Sequence, residues 1–421
     1  MTARTIRNGL IVILAAALLL RIALIVAFKT YAHPEIWEYE WLANSLLAGK
    51  GYSIYFLNNR YMSFNPPLFG FLCASVYAVT NHSFFAILLV QSLFSIGLAL
   101  TVFKIATNVF NESVGLLAAG LVAFHPCFLY YDVFNLLPLS IDSFLIAAIT
   151  FLVLKNKERP TLKSISLIGG LIGVAVLSRG ITGVLLPFVI IYFVFASSIG
   201  PKYRLKIVAC ILSGTFLVLA PWLIRNYVVH RQFVFIASTS GENFWRGNNL
   251  YATGTSYDEN KTEIFELWPQ TFKEKVQAMN EIQQKQFFER EALSFILANP
   301  GMAASLYAKK VYYFWWFSPQ SGTIYPKNYS AIYRLYYILI VSFFIVGLIF
   351  ALAFSNRDVF RSSLILICVP VCICLGQSLF YVEGRHRWLI EPLMIIFFSY
   401  GVVESWRRLR QTASSLAHSG N

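Results

Sequence analysis

Long apolar runs separated by short polar breaks dominate the chain. Crossing a hydrocarbon core takes about 20 predominantly apolar residues of helix. Runs of that kind are read at 9–28, 83–107, 114–131, 134–154, 164–178, 183–199, 207–224, 334–354, 362–381 and 388–404. The pattern therefore predicts an all-α polytopic membrane protein with about ten transmembrane helices. The first seven residues are basic, as at the start of a signal peptide. No small-residue cleavage site follows, and Arg21 and Lys29 lie in and just after the run, so it is expected to stay as an anchored helix.

Two stretches, 29–82 and 225–333, are too long and too polar to be simple connections. They divide the chain into an N-terminal transmembrane module, 1–224, that carries the first outer loop 29–82; an outer-face loop domain, 225–333; and C-terminal transmembrane helices with a cytoplasmic tail, 334–421. In the first loop, Pro34 suits a first helical turn and Gly49 and Gly51 suit a stop, with Leu42, Ala43 and Leu46 at helical spacing between them. This predicts a juxtamembrane helix with Glu35, Glu38 and Tyr39 on one face. In the second loop, Glu263 to Ala298 reads as helix, stopped at Asn299-Pro300-Gly301. The aromatic and basic run from Leu306 to Phe317 then reads as a helix in the headgroup layer, with Lys309 and Lys310 near lipid phosphates; an eleventh span is the alternative, but it would upset the charge alternation downstream.

Composition narrows the class. With 57% hydrophobic and 13% charged residues, the chain falls well short of the roughly one-quarter charged content of soluble domains. The net charge of +14 is concentrated in alternate breaks: Arg4 and Arg7; Lys104; Lys155, Lys157, Arg159 and Lys163; Lys202, Arg204 and Lys206; Arg357 and Arg361; Arg407, Arg408 and Arg410. By the positive-inside rule both termini are cytoplasmic and the two long loops lie outside. No basic stripe sits on a soluble domain, so nucleic acid is not an expected partner. The six cysteines lie in apolar stretches and read as small core residues, and Cys368, Cys372 and Cys374 lack a second ligand set for a metal.

Against that background a few ionisable residues are out of place. Arg179, Arg225, Arg385 and Arg387 fall on the outer side, where few cations are expected. Guanidinium forks suit phosphate oxygens, and snorkelling is the alternative. Asp142, inside a span, has to face a cavity or pair with an arginine. Glu35 and Glu38 either serve the helix dipole or carry chemistry.

The order of motifs resembles a known family. Glu35-x-x-Glu38-Tyr39, followed by Ala43, Leu46, Leu47, Gly49, Gly51 and Tyr52, is similar to the first outer loop of the polyprenyl- or dolichyl-phosphate-sugar glycosyltransferases. These are the protein mannosyltransferase and aminoarabinose transferase group, glycosyltransferase family 39, which has the GT-C fold. Asn65-Pro66-Pro67-Leu68, His125-Pro126 with Ser140-Ile141-Asp142, Pro221-Trp222-Leu223-Ile224-Arg225-Asn226, Trp245-Arg246-Gly247-Asn248, and Glu383-x-Arg385-x-Arg387 with Pro392 follow in the family's order.

The resemblance implies a GT-C-type bundle with outer loops carrying juxtamembrane helices. It also implies an enzyme that moves a monosaccharide from a polyprenyl-phosphate donor to a glycan, lipid or protein acceptor. Glu35 stands where the family has its catalytic aspartate, as a general base or as the holder of a divalent cation, with Glu38 beside it. Arg385, Arg387 and Arg225 are expected on the donor phosphate. Tyr39, Asn65, Asp142, Asn226, Arg246, Asn248 and Glu383 are expected around the substrates. Glu38 and Asn65 depart from the aminoarabinose branch, which has Arg and Lys at those places. The expected setting is a bacterial inner membrane, among its lipids, with the site on the outer face. The rival reading is a transporter or a flippase of cell-envelope glycans, which would favour paired repeats with broken helices, and the chain has no internal repeat.

Overall fold

In lipid every backbone N–H and C=O must be satisfied within the protein, so the apolar runs fold as helices. The computed structural model describes residues 2–56, 59–195, 200–321, 323 and 325–419. Helix α1 (Ala3–Ala27) is capped by the Thr2 hydroxyl, which accepts from Thr5 N–H. The first long polar segment then folds as α2 (Glu38–Leu47), an antiparallel hairpin of β1 (Ile54–Phe56) and β2 (Asn59–Tyr61), and α3 (Pro67–Thr80). Helices α4 (Phe84–Val109), α5 (Glu112–Ala123), α6 (Pro126–Phe134), α7 (Leu139–Lys155) and α8 (Leu162–Ser178) follow. A 3-10 turn, Gly180–Val184, leads into α9 (Leu185–Phe195), and α10 (Pro201–His230) closes the first module. The second long polar segment holds α11 (Ser240–Arg246), α12 (Gln270–Gln277), α13 (Glu281–Ala298) and α14 (Pro300–Trp315). The chain ends in α15 (Lys327–Ala353), α16 (Arg357–Gln377), the short α17 (Gly384–Trp388) and α18 (Glu391–Ser419).

All ten apolar runs are helical over most of their length, and this is an integral membrane protein. Residues 196–199, the end of the run 183–199, lie outside the described residues. Among the described residues, five helices are long and apolar enough to cross a membrane alone, and α5 with α6, bent by 41°, would make a sixth. The bend replaces the straight span expected at 114–131. Pro126 has no N–H to donate and its ring crowds the preceding turn, so the helix stops at Phe124 and restarts with His125 as its cap.

Three local expectations change. Pro34 does not open a helix; α2 begins only at Glu38, so Glu35 is not on its face. The stretch Glu263–Ala298 is two helices, because Asn280 forms a capping box with Gln283 and starts α13 afresh. Helix α3 was not anticipated; Pro67 in its first turn needs no N–H partner there. Gly49 and Gly51 do terminate α2, with φ of 71° and 75°.

Small residues bring helices close. A Cβ on Gly169 would lie 2.3 Å from the Ile211 carbonyl oxygen, and one on Gly214 would lie 2.5 Å from that of Ser166, so α8 and α10 cross backbone to backbone. At one end of the bundle the two long polar segments knit together. The Glu281 carboxylate accepts from Met62 N–H at 2.6 Å and Ser63 N–H at 2.8 Å. Ser238 N–H reaches Ser63 O at 2.7 Å, and Val382 N–H reaches Gly254 O at 2.9 Å. The first loop, the second loop and the turn before α18 therefore form one layer.

Candidate active site

Glu35 is held by its backbone. Its N–H donates to Phe134 O at 2.8 Å and its carbonyl accepts from Leu136 N–H at 3.1 Å, which ties it to the α6–α7 connection. The residue is exposed, yet partial desolvation of the carboxyl pushes its pKa above the ordinary 4.5. Its charge reaches Tyr130, whose ring lies against Tyr329 at 4.5 Å and Tyr325 at 6.0 Å. Glu38 opens α2, where a carboxylate suits the positive helix end. Tyr39 is buried edge-on against Phe69 at 5.2 Å, and desolvation first, then the nearby Asp142, keeps its hydroxyl protonated. Glu40, which sequence reasoning passed over, is buried and accepts from Tyr77 Oη at 2.6 Å and His82 Nε2 at 2.8 Å; it fastens α2 to α3.

Asp142, in the first turn of α7, is enclosed. It accepts from Arg179 Nε at 2.7 Å and from the Ser178 hydroxyl. The charge buried in a span is thus paired, as lipid demands. At the start of α17, which packs against α7, Glu383 pairs with Arg385 Nε at 3.1 Å, and Arg385 Nη2 donates to Tyr381 Oη at 3.3 Å. Tyr131 and Tyr325 share a 2.6 Å hydroxyl hydrogen bond within reach of the Arg385 charge. His386 is buried beside both Arg385 and Arg179; desolvation first, then the two cations, hold it neutral.

The third wall is α11. Arg246 pairs with Glu242 at 3.0 Å and lies 3.8 Å over the Phe265 ring, with Tyr381 at 5.7 Å. Desolvation raises the pKa of Glu242, and Glu38 and Glu263 add to that shift. Tyr257 feels Glu383, Glu263, Arg385 and Arg246. The electrostatic neighbours Arg385, Tyr257, Arg246, Glu242, Glu38, Tyr39, Arg179 and His386 form a ring, and Glu35 reaches it from one side through Tyr130 and Tyr325. Of the predicted residues, Glu35, Glu38, Tyr39, Asp142, Arg246, Glu383 and Arg385 meet there. Glu242, Arg179, Tyr131 and Tyr325 join them. An arginine at the end of an apolar run, where the charge pattern leads one to expect few cations, was the signal for Arg179; Glu242 gave no signal beyond preceding Trp245-Arg246.

Other predicted residues lie inside the scaffold. Arg225 donates to Met62 O, to Ser63 Oγ at 2.9 Å and to Tyr52 O at 2.9 Å, and it lies 4.8 Å over Trp222. Asn226, fully buried, accepts from Ser63 Oγ at 2.9 Å and donates to Val234 O at 3.1 Å. These two staple the first loop to α10. Asn65 is half-buried, its carbonyl accepting from Tyr52 Oη at 3.0 Å. Asn248 donates to Phe244 O and Leu379 O, both at 2.8 Å, and accepts from Lys310 Nζ at 3.1 Å.

Lys310 is buried rather than at the headgroups, and desolvation lowers its pKa to about 8; Lys309 alone is exposed. Arg387 faces away from the ring. It donates to Glu391 at 2.8 Å and to Tyr333 Oη at 2.6 Å, and stacks 3.7 Å over Tyr337. Because Arg225 anchors backbone carbonyls, Arg225→Ala is expected to lower stability by about 1–3 kcal/mol. Thermal unfolding in detergent would read this, and an unchanged melting curve would show that the staple is idle.

Among the described residues no group of three or more His, Cys, Asp or Glu side chains is placed to hold a metal ion. An apolar groove of about 580 Å³ between α1, α5 and α15 is lined by residues such as Ile13, Leu117, Phe124 and Tyr336, none of them in the ring.

The profile of the family described as dolichyl-phosphate-mannose-protein mannosyltransferase matches residues 65–224. This stretch includes Asn65, Asp142 and Arg179 and leaves out the first-loop carboxylates and the 383–387 turn. No curated protein matches the chain. Over 97% of its length the chain is similar in structure to the oligosaccharyltransferase of Archaeoglobus fulgidus in its apo form, with a TM-score of 0.57 and 14% identity. The same archaeal protein tethered to an acceptor peptide containing the NVT sequon is matched over 96% of this chain, with a TM-score of 0.54 and 13% identity. The chain spans about half of that protein, 52% and 50% in the two structures. The fold is therefore the GT-C membrane fold, and the resemblance read from the motifs is borne out by the profile over 65–224 and by the fold over nearly the whole chain.

Proposed function

We propose that this protein is a membrane glycosyltransferase that takes a monosaccharide from a polyprenyl-phosphate donor and passes it to an acceptor hydroxyl or similar group on the non-cytoplasmic face. The observation that carries the reading is the ring, in which a first-loop carboxylate, Arg246 and the turn bearing Arg385 share electrostatic neighbours at one end of an apolar bundle, with Glu35 beside it. Nucleotide sugars are not at hand outside the cytoplasm, so an outward site suits a donor carried by the membrane itself. The acceptor O–H attacks the anomeric carbon, the bond from that carbon to the phosphate oxygen breaks, and polyprenyl phosphate leaves with the bonding pair. Glu35 takes the acceptor proton, and Arg385 meets the charge that grows on the leaving phosphate. The profile match supports a lipid-phosphate sugar as donor. A transporter reading has less to rest on, because the most deeply buried charges are spent on one another: Arg21 with Asp132 at 2.8 Å, Arg387 with Glu391 at 2.8 Å.

Purified protein is expected to release polyprenyl phosphate from a polyprenyl-phosphate hexose or pentose when cell-envelope acceptors are supplied. Absence of release across these donors would overturn the reading. Glu35 acts deprotonated, so turnover should fall as pH drops through its pKa, at a midpoint above the ordinary 4.5. Glu35→Gln should abolish that limb of the pH profile; if the limb persists, the base lies elsewhere. Orientation is open to a direct check. Cysteines at Lys50 and Asn260 should react with a membrane-impermeant thiol reagent in intact cells, and cysteines at Glu158 and Arg410 should not. The reverse pattern would put the site on the cytoplasmic side.

A further inference from the structure

We infer that Arg179 is a second phosphate-binding residue: its guanidinium and that of Arg385 flank one anion position, with Asp142 and Glu383 holding the two forks toward it. This rests on the proposed lipid-phosphate donor and names the residues of its phosphate subsite.

The two arginines are built alike. Each is fixed through Nε by one carboxylate, Asp142 at 2.7 Å and Glu383 at 3.1 Å, and each side chain keeps a quarter of its surface exposed. Pinning at Nε leaves the Nη edge of the fork available, and that edge matches two oxygens of a phosphate. Among the described residues nothing accepts a hydrogen bond from either Nη of Arg179, and Nη1 of Arg385 is likewise open. Helix α17 packs against α7, whose first turn carries Asp142, so the turn bearing Arg385 is brought to the Arg179 side of the ring. His386 lies beside both cations. Desolvation first, then the two cations, hold its imidazole neutral, so the space beside them already carries two positive charges and one uncharged ring.

Simple snorkelling does not account for Arg179. A snorkelling arginine extends its head into water, whereas this one is drawn inward to a carboxylate with no exposed surface. Asp142 for the same reason cannot touch a ligand. It acts through Arg179 and is a positioning residue. The other arginines predicted for the phosphate are occupied, Arg225 on backbone carbonyls and Arg387 on Glu391 and Tyr333.

The test is binding of a short-chain polyprenyl monophosphate, and of the matching polyprenol, to the full-length protein in detergent. Wild type should prefer the phosphate. Arg179→Gln and Arg385→Gln should each weaken phosphate binding about tenfold or more, the loss of a hydrogen bond to a charged group, and leave polyprenol binding as it was. Arg179→Lys keeps the charge near Asp142 and should recover part of the affinity, while Asp142→Asn should lose less than Arg179→Gln. Melting curves separate binding from folding; if Arg179→Gln does not fold, the Lys variant carries the same test, with reduced affinity expected. Wild-type affinity in the Arg179 variants, with binding lost in Arg385→Gln, would overturn the inference and leave the donor reading standing. Equal binding of phosphate and polyprenol by wild type would overturn the donor reading, and the inference with it.

Discussion

Purified Glu35→Gln protein is expected to transfer sugar about 100-fold or more slowly than wild type, the usual loss when a general base is removed. The substitution keeps the size of the side chain. Glu35 is fixed through its own N–H and carbonyl, on Phe134 and Leu136, so the backbone that places it does not depend on the carboxylate. Folding and donor binding should therefore survive while turnover falls, a pattern that separates a catalytic group from a structural one. Glu38→Gln should cost less, because that carboxylate opens α2 and is half-buried there. A wild-type rate in purified Glu35→Gln would remove Glu35 from the mechanism.

Arg387→Ala is expected to lose about 3–5 kcal/mol of stability, the cost of leaving a buried partner charge uncompensated. The partner is Glu391, which has no exposed side-chain surface and also accepts from His125 Nε2 at 2.8 Å and from the Tyr333 hydroxyl. His125 Nδ1 accepts from Cys127 N–H at 3.2 Å, so Nε2 carries the proton it donates. This network joins α6, α15, α17 and α18. Arg385→Ala, two residues away, should melt close to wild type, since its pair with Glu383 is partly solvated. Thermal unfolding in detergent would compare the two variants. If Arg387→Ala melts like wild type and loses affinity for polyprenyl phosphate, Arg387 is a ligand after all and the network is dispensable.

Arg385 and Arg387 show how far the sequence could be read. Both stand in one turn between apolar runs, and the expected topology marks both as out of place. In a helix, residues two apart point to nearly opposite sides. Helix α17 turns Arg387 toward α15 and α18 and leaves Arg385 beside Tyr381 and Glu383. Nothing local to Glu383-Gly384-Arg385-His386-Arg387 says which side is core. Asp142 is a parallel case: a carboxylate in an apolar run announces a partner, but Arg179 is 37 positions away and is brought to it only when α7 packs against α8.

The sequence by itself determined which segments leave water, where the polar mass gathers, and which residue types are available to do chemistry. Those outcomes follow from runs of neighbouring residues, and transfer into lipid depends on the composition of each run. Tertiary structure decided which charges are spent and which are left for a ligand. It gave Arg225 and Asn226 to the first loop, Lys310 to Asn248, and Arg387 to Glu391, and it moved Glu35 off α2 onto the α6–α7 connection. A buried charge must find a partner wherever the fold brings one within hydrogen-bond distance, and that distance is set by helix packing between residues far apart in the chain.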